Sequence, residues 1–132
     1  DNWKLLGSYS YTDLEVIKDL NTAIIGNSPY LVPNSTAALW LDYAFTSDAL
    51  DGLSIGAGVR YQGKSWADQA NTLRVPSATL FDAGIRYEKK GWGASLNVAN
   101  IFDKDYVSGC AGENVCGYGD ARTITFKLSK KW

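Results

Sequence analysis

Six separate stretches of this 132-residue chain alternate apolar and polar side chains with a two-residue period, and no other feature constrains the fold as much. The alternation is plainest in Ala121 to Trp132, where Ile124, Phe126, Leu128 and Trp132 hold even positions and Thr123, Thr125, Lys127, Ser129 and Lys131 odd ones. Successive side chains of an extended strand point to opposite faces, so this is a strand with one apolar face. It ends on a bare aromatic, as the closing strand of a membrane barrel does in the aromatic girdle at the bilayer edge. The expectation is that the apolar face of every such strand meets lipid.

The other five stretches follow the same rule. Trp3 to Thr12 sets Trp3, Leu5, Gly7, Tyr9 and Tyr11 against Lys4, Leu6, Ser8, Ser10 and Thr12. Ser35 to Thr46 sets Ala37, Leu39, Leu41, Tyr43 and Phe45 against Ala38, Trp40, Asp42 and Ala44, and Leu53 to Gln62 returns beside it as a hairpin. Ala78 to Glu88 carries Phe81, Ala83, Ile85 and Tyr87 on one face and Asp82, Gly84, Arg86 and Glu88 on the other. A tight turn at Lys89-Lys90-Gly91 leads into Trp92 to Asn100, with Trp92, Ala94, Leu96 and Val98 opposite Gly93, Ser95 and Asn97.

Strands of about ten residues match the ~9–11 that a tilted strand needs to cross a bilayer. Their connections run long, short, long, short, long, the pattern of a barrel with short periplasmic turns and long extracellular loops. The long loops, Asp13 to Asn34, Gly63 to Ser77 and Ile101 to Asp120, are expected to be largely irregular. Bacterial membrane barrels start at about eight strands and plugged transporters have about 22. Six strands are therefore an arc, and the remaining strands are expected N-terminal to it. The start at Asp1, with neither Met nor a signal peptide, fits a processed or excised piece.

Composition narrows the function. Thirteen basic against fourteen acidic residues leave nothing basic enough to grip nucleic acid. His is absent, which removes the commonest general base and a principal zinc ligand; neither a catalytic set nor a metal site is expected. No run approaches the ~18 apolar residues of a membrane helix, so a membrane role requires a barrel. Cys110 and Cys116, with five residues between them in a Gly-rich loop, lack the C-x-x-C spacing of redox or zinc sites. They suit a small disulfide-closed loop in an oxidising compartment; the alternative is a pair of free thiols.

At Asn97 to Tyr106 (NVANIFDKDY) the chain resembles the penultimate-strand signature of TonB-dependent outer-membrane receptors. Leu53 to Gly63 (LSIGAGVRYQG), Val75 to Tyr87 (VPSATLFDAGIRY), and the cysteine loop with Tyr118-Gly119-Asp120-Ala121-Arg122 resemble the siderophore-receptor branch, and within it the hydroxamate type. The resemblance implies an all-β fold of antiparallel up-and-down strands: residues 1–132 as the last six strands of a 22-stranded transmembrane β-barrel, with the plug domain and earlier strands outside this sequence. It implies energy-coupled uptake of a ferric siderophore such as ferrichrome or ferrioxamine across the outer membrane of a Gram-negative cell. Iron is then cargo and there is no cofactor. The implied partners are the siderophore, TonB acting through the plug, the barrel-assembly machinery and outer-membrane lipid.

Within that frame the candidate ligand contacts are Tyr30, Trp66, Tyr106 and Tyr118, amphipathic aromatics in or beside the outer loops. Each has the alternative role of packing its own loop. Phe126 and Trp132 belong to the C-terminal assembly signal, or simply to the aromatic girdle. Asp42, Arg60, Asp82, Arg86 and Glu88 face the lumen by parity, either lining a path and touching the plug or forming an ion-paired wall. The alternative fold is a soluble β-sandwich or lipocalin-like binding module whose apolar stripes pack a core. A porin-like or adhesin barrel is a third possibility.

Overall fold

The structure is a computed structural model that describes residues 2–131. In chain order the strands are β1 (Trp3–Tyr11), β2 (Ser35–Ala44), β3 (Leu53–Gln62), β4 (Ser65–Trp66), β5 (Arg74–Val75), β6 (Ala78–Lys89), β7 (Trp92–Ala99), β8 (Val107–Cys110), β9 (Cys116–Tyr118) and β10 (Thr123–Lys130). The six long ones are those expected, each end displaced by two residues or fewer. They form one antiparallel sheet in the order β1-β2-β3-β6-β7-β10, every strand beside its neighbour in the up-and-down sequence.

Register settles which side chains share a face. One row crosses the whole sheet as Trp3, Tyr43, Ile55, Ile85, Leu96 and Phe126. The next row on that face is Leu5, Leu41, Ala57, Ala83, Val98 and Ile124, and beyond it lie Gly7, Leu39, Val59 and Phe81. Aliphatic residues hold the middle. Aromatics gather at the two ends: Trp3, Tyr43, Phe45, Tyr87 and Trp92 by the short turns, and Tyr9, Tyr11 and Tyr61 by the long loops. Trp3 and Tyr43 approach to 4.6 Å between ring centroids, and Tyr43 meets Phe45 edge-on at 5.0 Å. From Leu53 to Tyr61, eight residue steps at ~3.3 Å make about 26 Å along the strand, the scale of a barrel's apolar band.

These apolar side chains do not meet one another in a core. Leu5 is 63% exposed, Leu41 41%, Ile55 44% and Phe126 67%. No second sheet covers them among the described residues, so the face-to-face sandwich is not the fold. The sheet's outer strands, β1 and β10, each pair on one side only among the described residues. Trp132 lies outside the described residues.

At the short-turn end, Lys90 (φ 51°) and Gly91 (φ 81°) both sit in the left-handed region and join β6 to β7. Two consecutive positive φ values give the tight hairpin turn whose twist matches that of the flanking strands. The β2–β3 turn, 45–52, is fastened to it: the Glu88 N–H donates to the Gly52 carbonyl at 2.8 Å.

Candidate functional site: the loop crown and the polar face

All three long connections leave the same end of the sheet and pack together. The 63–77 loop is not irregular: β4 and β5 pair as a small ribbon, Ser65 with Val75 and Trp66 with Arg74. The 100–122 loop contains a second ribbon, β8–β9, whose last pair is Cys110 with Cys116. Those cysteines form a disulfide with Cα atoms 4.0 Å apart. Cys110 then packs with Ala67 and Val75, flanked by Leu73 and Val107, as a small apolar core belonging to the loops alone.

Polar contacts tie in the 12–34 loop. Asn71, held at φ 57°, donates through its side-chain amide to the Ser28 carbonyl at 2.9 Å and accepts from the Ser28 N–H at 2.8 Å. The Leu31 N–H donates to the Trp66 carbonyl at 2.9 Å, and the Gly112 N–H to that of Ala67 at 2.6 Å. Asp68 shapes the turn leading into β5 by accepting from the N–H groups of Leu73 and Thr72 and from the Thr72 hydroxyl. The Leu73 amide is the largest cause that holds its carboxyl below the usual aspartate value. Three loops thus make one crown.

Asn100 closes the crown onto the sheet. It is 2% exposed and sits at φ 53°, a left-handed conformation in which Asn is tolerated better than most residues. Its side chain donates to the carbonyls of Lys104 (3.0 Å) and Asp120 (3.1 Å) and accepts from the Lys104 N–H (2.9 Å). Its own N–H donates to Asp82 at 2.9 Å. Nearby, Asp103 accepts from the Arg122 N–H at 2.7 Å. The NVANIFDKDY stretch therefore staples the beginning of the last loop to its end. The stretch stands out in the sequence but this job does not; Asn and Asp before a long loop, both tolerant of positive φ, are the available signal.

On the polar face, Arg60 of β3 grips Asp82 of β6 with two hydrogen bonds, one of them 2.8 Å from Nη2 to Oδ1. Beside it the Trp40 indole lies across the neighbouring strands and donates from Nε1 to Asp42 at 2.8 Å. A Cβ on Gly56 or Gly58 would sit 2.6 or 2.4 Å from that ring, so the glycines of this face make a bed for it. Arg86 and Glu88 share the face farther toward the short turns, paired across the sheet with Ser54 and Gly93. A cleft of about 390 Å³ opens here, with Arg60, Asp82, Asn97, Asn100 and Tyr106 on its walls.

The four candidate aromatics fall into two pairs instead of one constellation. Tyr106 and Tyr118 flank the foot of the β8–β9 ribbon, where the Gly119 N–H donates to the Tyr106 carbonyl at 2.9 Å and the Tyr106 ring lies on Gly119. Tyr118 is 77% exposed. Tyr30 adjoins Leu31, which is bonded to Trp66, and the Trp66 ring carries the Arg74 guanidinium 4.5 Å above it. Among the described residues no group of three or more His, Cys, Asp or Glu side chains is placed to hold a metal ion.

A single six-stranded antiparallel sheet, apolar on one face and polar on the other, with a tied crown at one end only, has the form of a barrel wall. Comparison with known proteins gives it a family: residues 1–101 match the model of the TonB dependent receptor-like β-barrel. The chain belongs to that family. It is 42% identical over 131 residues to a ferrioxamine receptor of Yersinia enterocolitica, an alignment that takes in 94% of this chain and 18% of the receptor. It is 41% identical over 133 residues to the ferrichrome outer membrane transporter and phage receptor of Escherichia coli K12, again across 94% of the chain and 18% of the relative. Among solved structures, the siderophore receptor PiuA from Acinetobacter baumannii superposes with a TM-score of 0.82 at 29% identity, covering all of this chain and 20% of PiuA. The chain thus spans about a fifth of the length of its relatives. Membership of this receptor family places the sheet in an outer membrane.

Proposed function

We propose that these residues are the last six strands and the last three outer loops of a 22-stranded, plug-filled receptor that imports a ferric siderophore of the hydroxamate type. The likeness to ferrioxamine and ferrichrome receptors across 94% of the chain carries this proposal. TonB acts through an upstream plug domain, iron travels as cargo, and no chemical step is catalysed. Insertion depends on the barrel-assembly machinery, with Phe126 and Trp132 in its recognition signal.

The geometry supports a division of labour. The polar face turns to the lumen, where Asp42, Arg60, Asp82, Arg86 and Glu88 line the space that a plug fills. Tyr106, above the Arg60–Asp82 pair, and Tyr118 at the rim offer aromatic faces to a siderophore shell; Tyr30 and Trp66 stand at the crown's other side. The test is titration of the purified full-length receptor with ferrichrome and ferrioxamine B. Saturable binding of either, weakened by Tyr106→Ala, is expected, and binding of neither sinks the hydroxamate assignment.

A further inference from the structure

The first half of the 12–34 loop forms an arm of its own. The Val16 N–H donates to the Asn27 carbonyl and the Gly26 N–H to the Val16 carbonyl, each at 2.9 Å, so two residues face one, with Gly26 at φ 89°. That is a glycine bulge, which closes the arm at its base. At the far end one turn of 3-10 helix, Thr22–Ile24, is capped by the Asn21 side chain, which accepts from the Ala23 N–H at 3.2 Å, and Ile24 is buried. The arm is thus ordered, yet among the described residues every hydrogen bond of 17–25 stays within 16–27.

Its apolar side chains have no cover. Ile17 is 85% exposed, Ile25 44% and Leu20 fully so, whereas Ala67, Val75 and Cys110, where the other two loops meet, are buried. Such a group of exposed aliphatic residues marks a contact surface. Topology says what stands beside it. The returning limb, 27–34, is the one bonded to the 63–77 loop, while the arm departs from β1, whose outer edge is unpaired among the described residues. In an up-and-down barrel the strand just upstream pairs with that edge, and the outer loop leading into it ends next to the arm. Both neighbouring pairs of outer loops in this chain already pack, through Ser28 with Asn71 and through Ala67 with Cys110. About four fifths of each relative's length lies outside this chain, ample for such a loop. Charge decides against a lipid: Asp13, Glu15 and Asp19 outnumber Lys18, so the arm repels phosphate-bearing headgroups. We propose that Ile17, Leu20 and Ile25 dock onto the next upstream outer loop of the same receptor, through apolar residues bordered there by Lys or Arg. The docking rests on the upstream strands of the proposed barrel and not on the identity of the siderophore.

Photo-crosslinking in the full-length receptor tests it. With Leu20→p-benzoylphenylalanine, irradiation of outer membranes is expected to join the arm to that loop, as read by mass spectrometry of the joined peptides. Leu31→p-benzoylphenylalanine is the control: the Leu31 side chain lies against Gly109, so this probe should join to 107–112. Crosslinks from position 20 to lipid, to a second receptor or to another protein, or none where position 31 crosslinks, overturn the docking. Ile17→Ser combined with Leu20→Ser gives a second readout. Amide exchange in the upstream loop should rise several-fold, with heat-modifiable migration and ferric-siderophore binding unchanged; exchange equal to wild type overturns the docking. Wild-type receptor without heat-modifiable migration overturns the barrel and the docking with it, whereas one that migrates so but binds no hydroxamate overturns the ligand assignment alone.

Discussion

Asn100 combines two demands that few side chains meet together, a positive φ and three side-chain hydrogen bonds under almost complete burial. Asn100→Gly keeps the backbone conformation and deletes the bonds, so it isolates their value. We expect a loss of about 2–3 kcal/mol in unfolding of the full-length receptor, since three backbone groups must find water instead. Asn100→Ala should cost more, because it adds the left-handed strain. If the two variants unfold alike, backbone conformation at this position contributes nothing. Asp68 gives a pH prediction at the same scale. Its folded carboxyl titrates below the usual 3.8, so its contribution is complete above that value and fades as pH falls through the lower folded value. Amide exchange at Thr72 and Leu73, corrected for intrinsic rate, should therefore rise on acidification below about 3.8, and Asp68→Asn should show little of that dependence.

The strand is the element on which sequence and structure agree best, for a physical reason. A two-residue period survives into sequence when each face of a strand keeps one environment along its whole length, and here one face is apolar and the other polar at nearly every step. We predict that Leu96→Arg, in the row with Ile85 and Phe126, blocks barrel assembly, whereas Asn97→Arg, one step along and on the other face, leaves the receptor folded. The expected penalty is about 2–4 kcal/mol for Arg near the membrane midplane. Heat-modifiable migration of envelope protein reads it out, and equal behaviour of the two variants contradicts the facing. The short ribbons escaped sequence reading because two to four residues are too few to display a period. The job of Trp40 escaped it as well: Gly56 and Gly58 lie on the next strand, far from Trp40 along the chain, and only the register shows the indole lying on them. Among the candidate aromatics, position in a loop was legible; which of them stand together was not, because that depends on contacts between residues as distant as Ser28 and Asn71.

On the scale of the whole molecule, the disulfide acts at a distance from its own ribbon. Cys110 is part of the apolar cluster with Ala67 and Val75, so the link steadies a neighbouring loop along with the one it closes. Closing so short a loop contributes roughly 2 kcal/mol on the chain-entropy model. Replacing both cysteines by Ser is expected to raise amide exchange across 65–75 as well as 107–118 while leaving the strands protected; exchange confined to 107–118 would show that the crown is not one unit. The side-chain rows have a further effect. Because register holds each ring and each aliphatic group level with its counterpart on the next strand, the proposed receptor would set its own draught in a bilayer, like a hull with a painted waterline. A one-residue slip anywhere would turn that strand's apolar side to the polar face, so in the proposed barrel the height at which the crown stands is set by hydrogen-bond pairing.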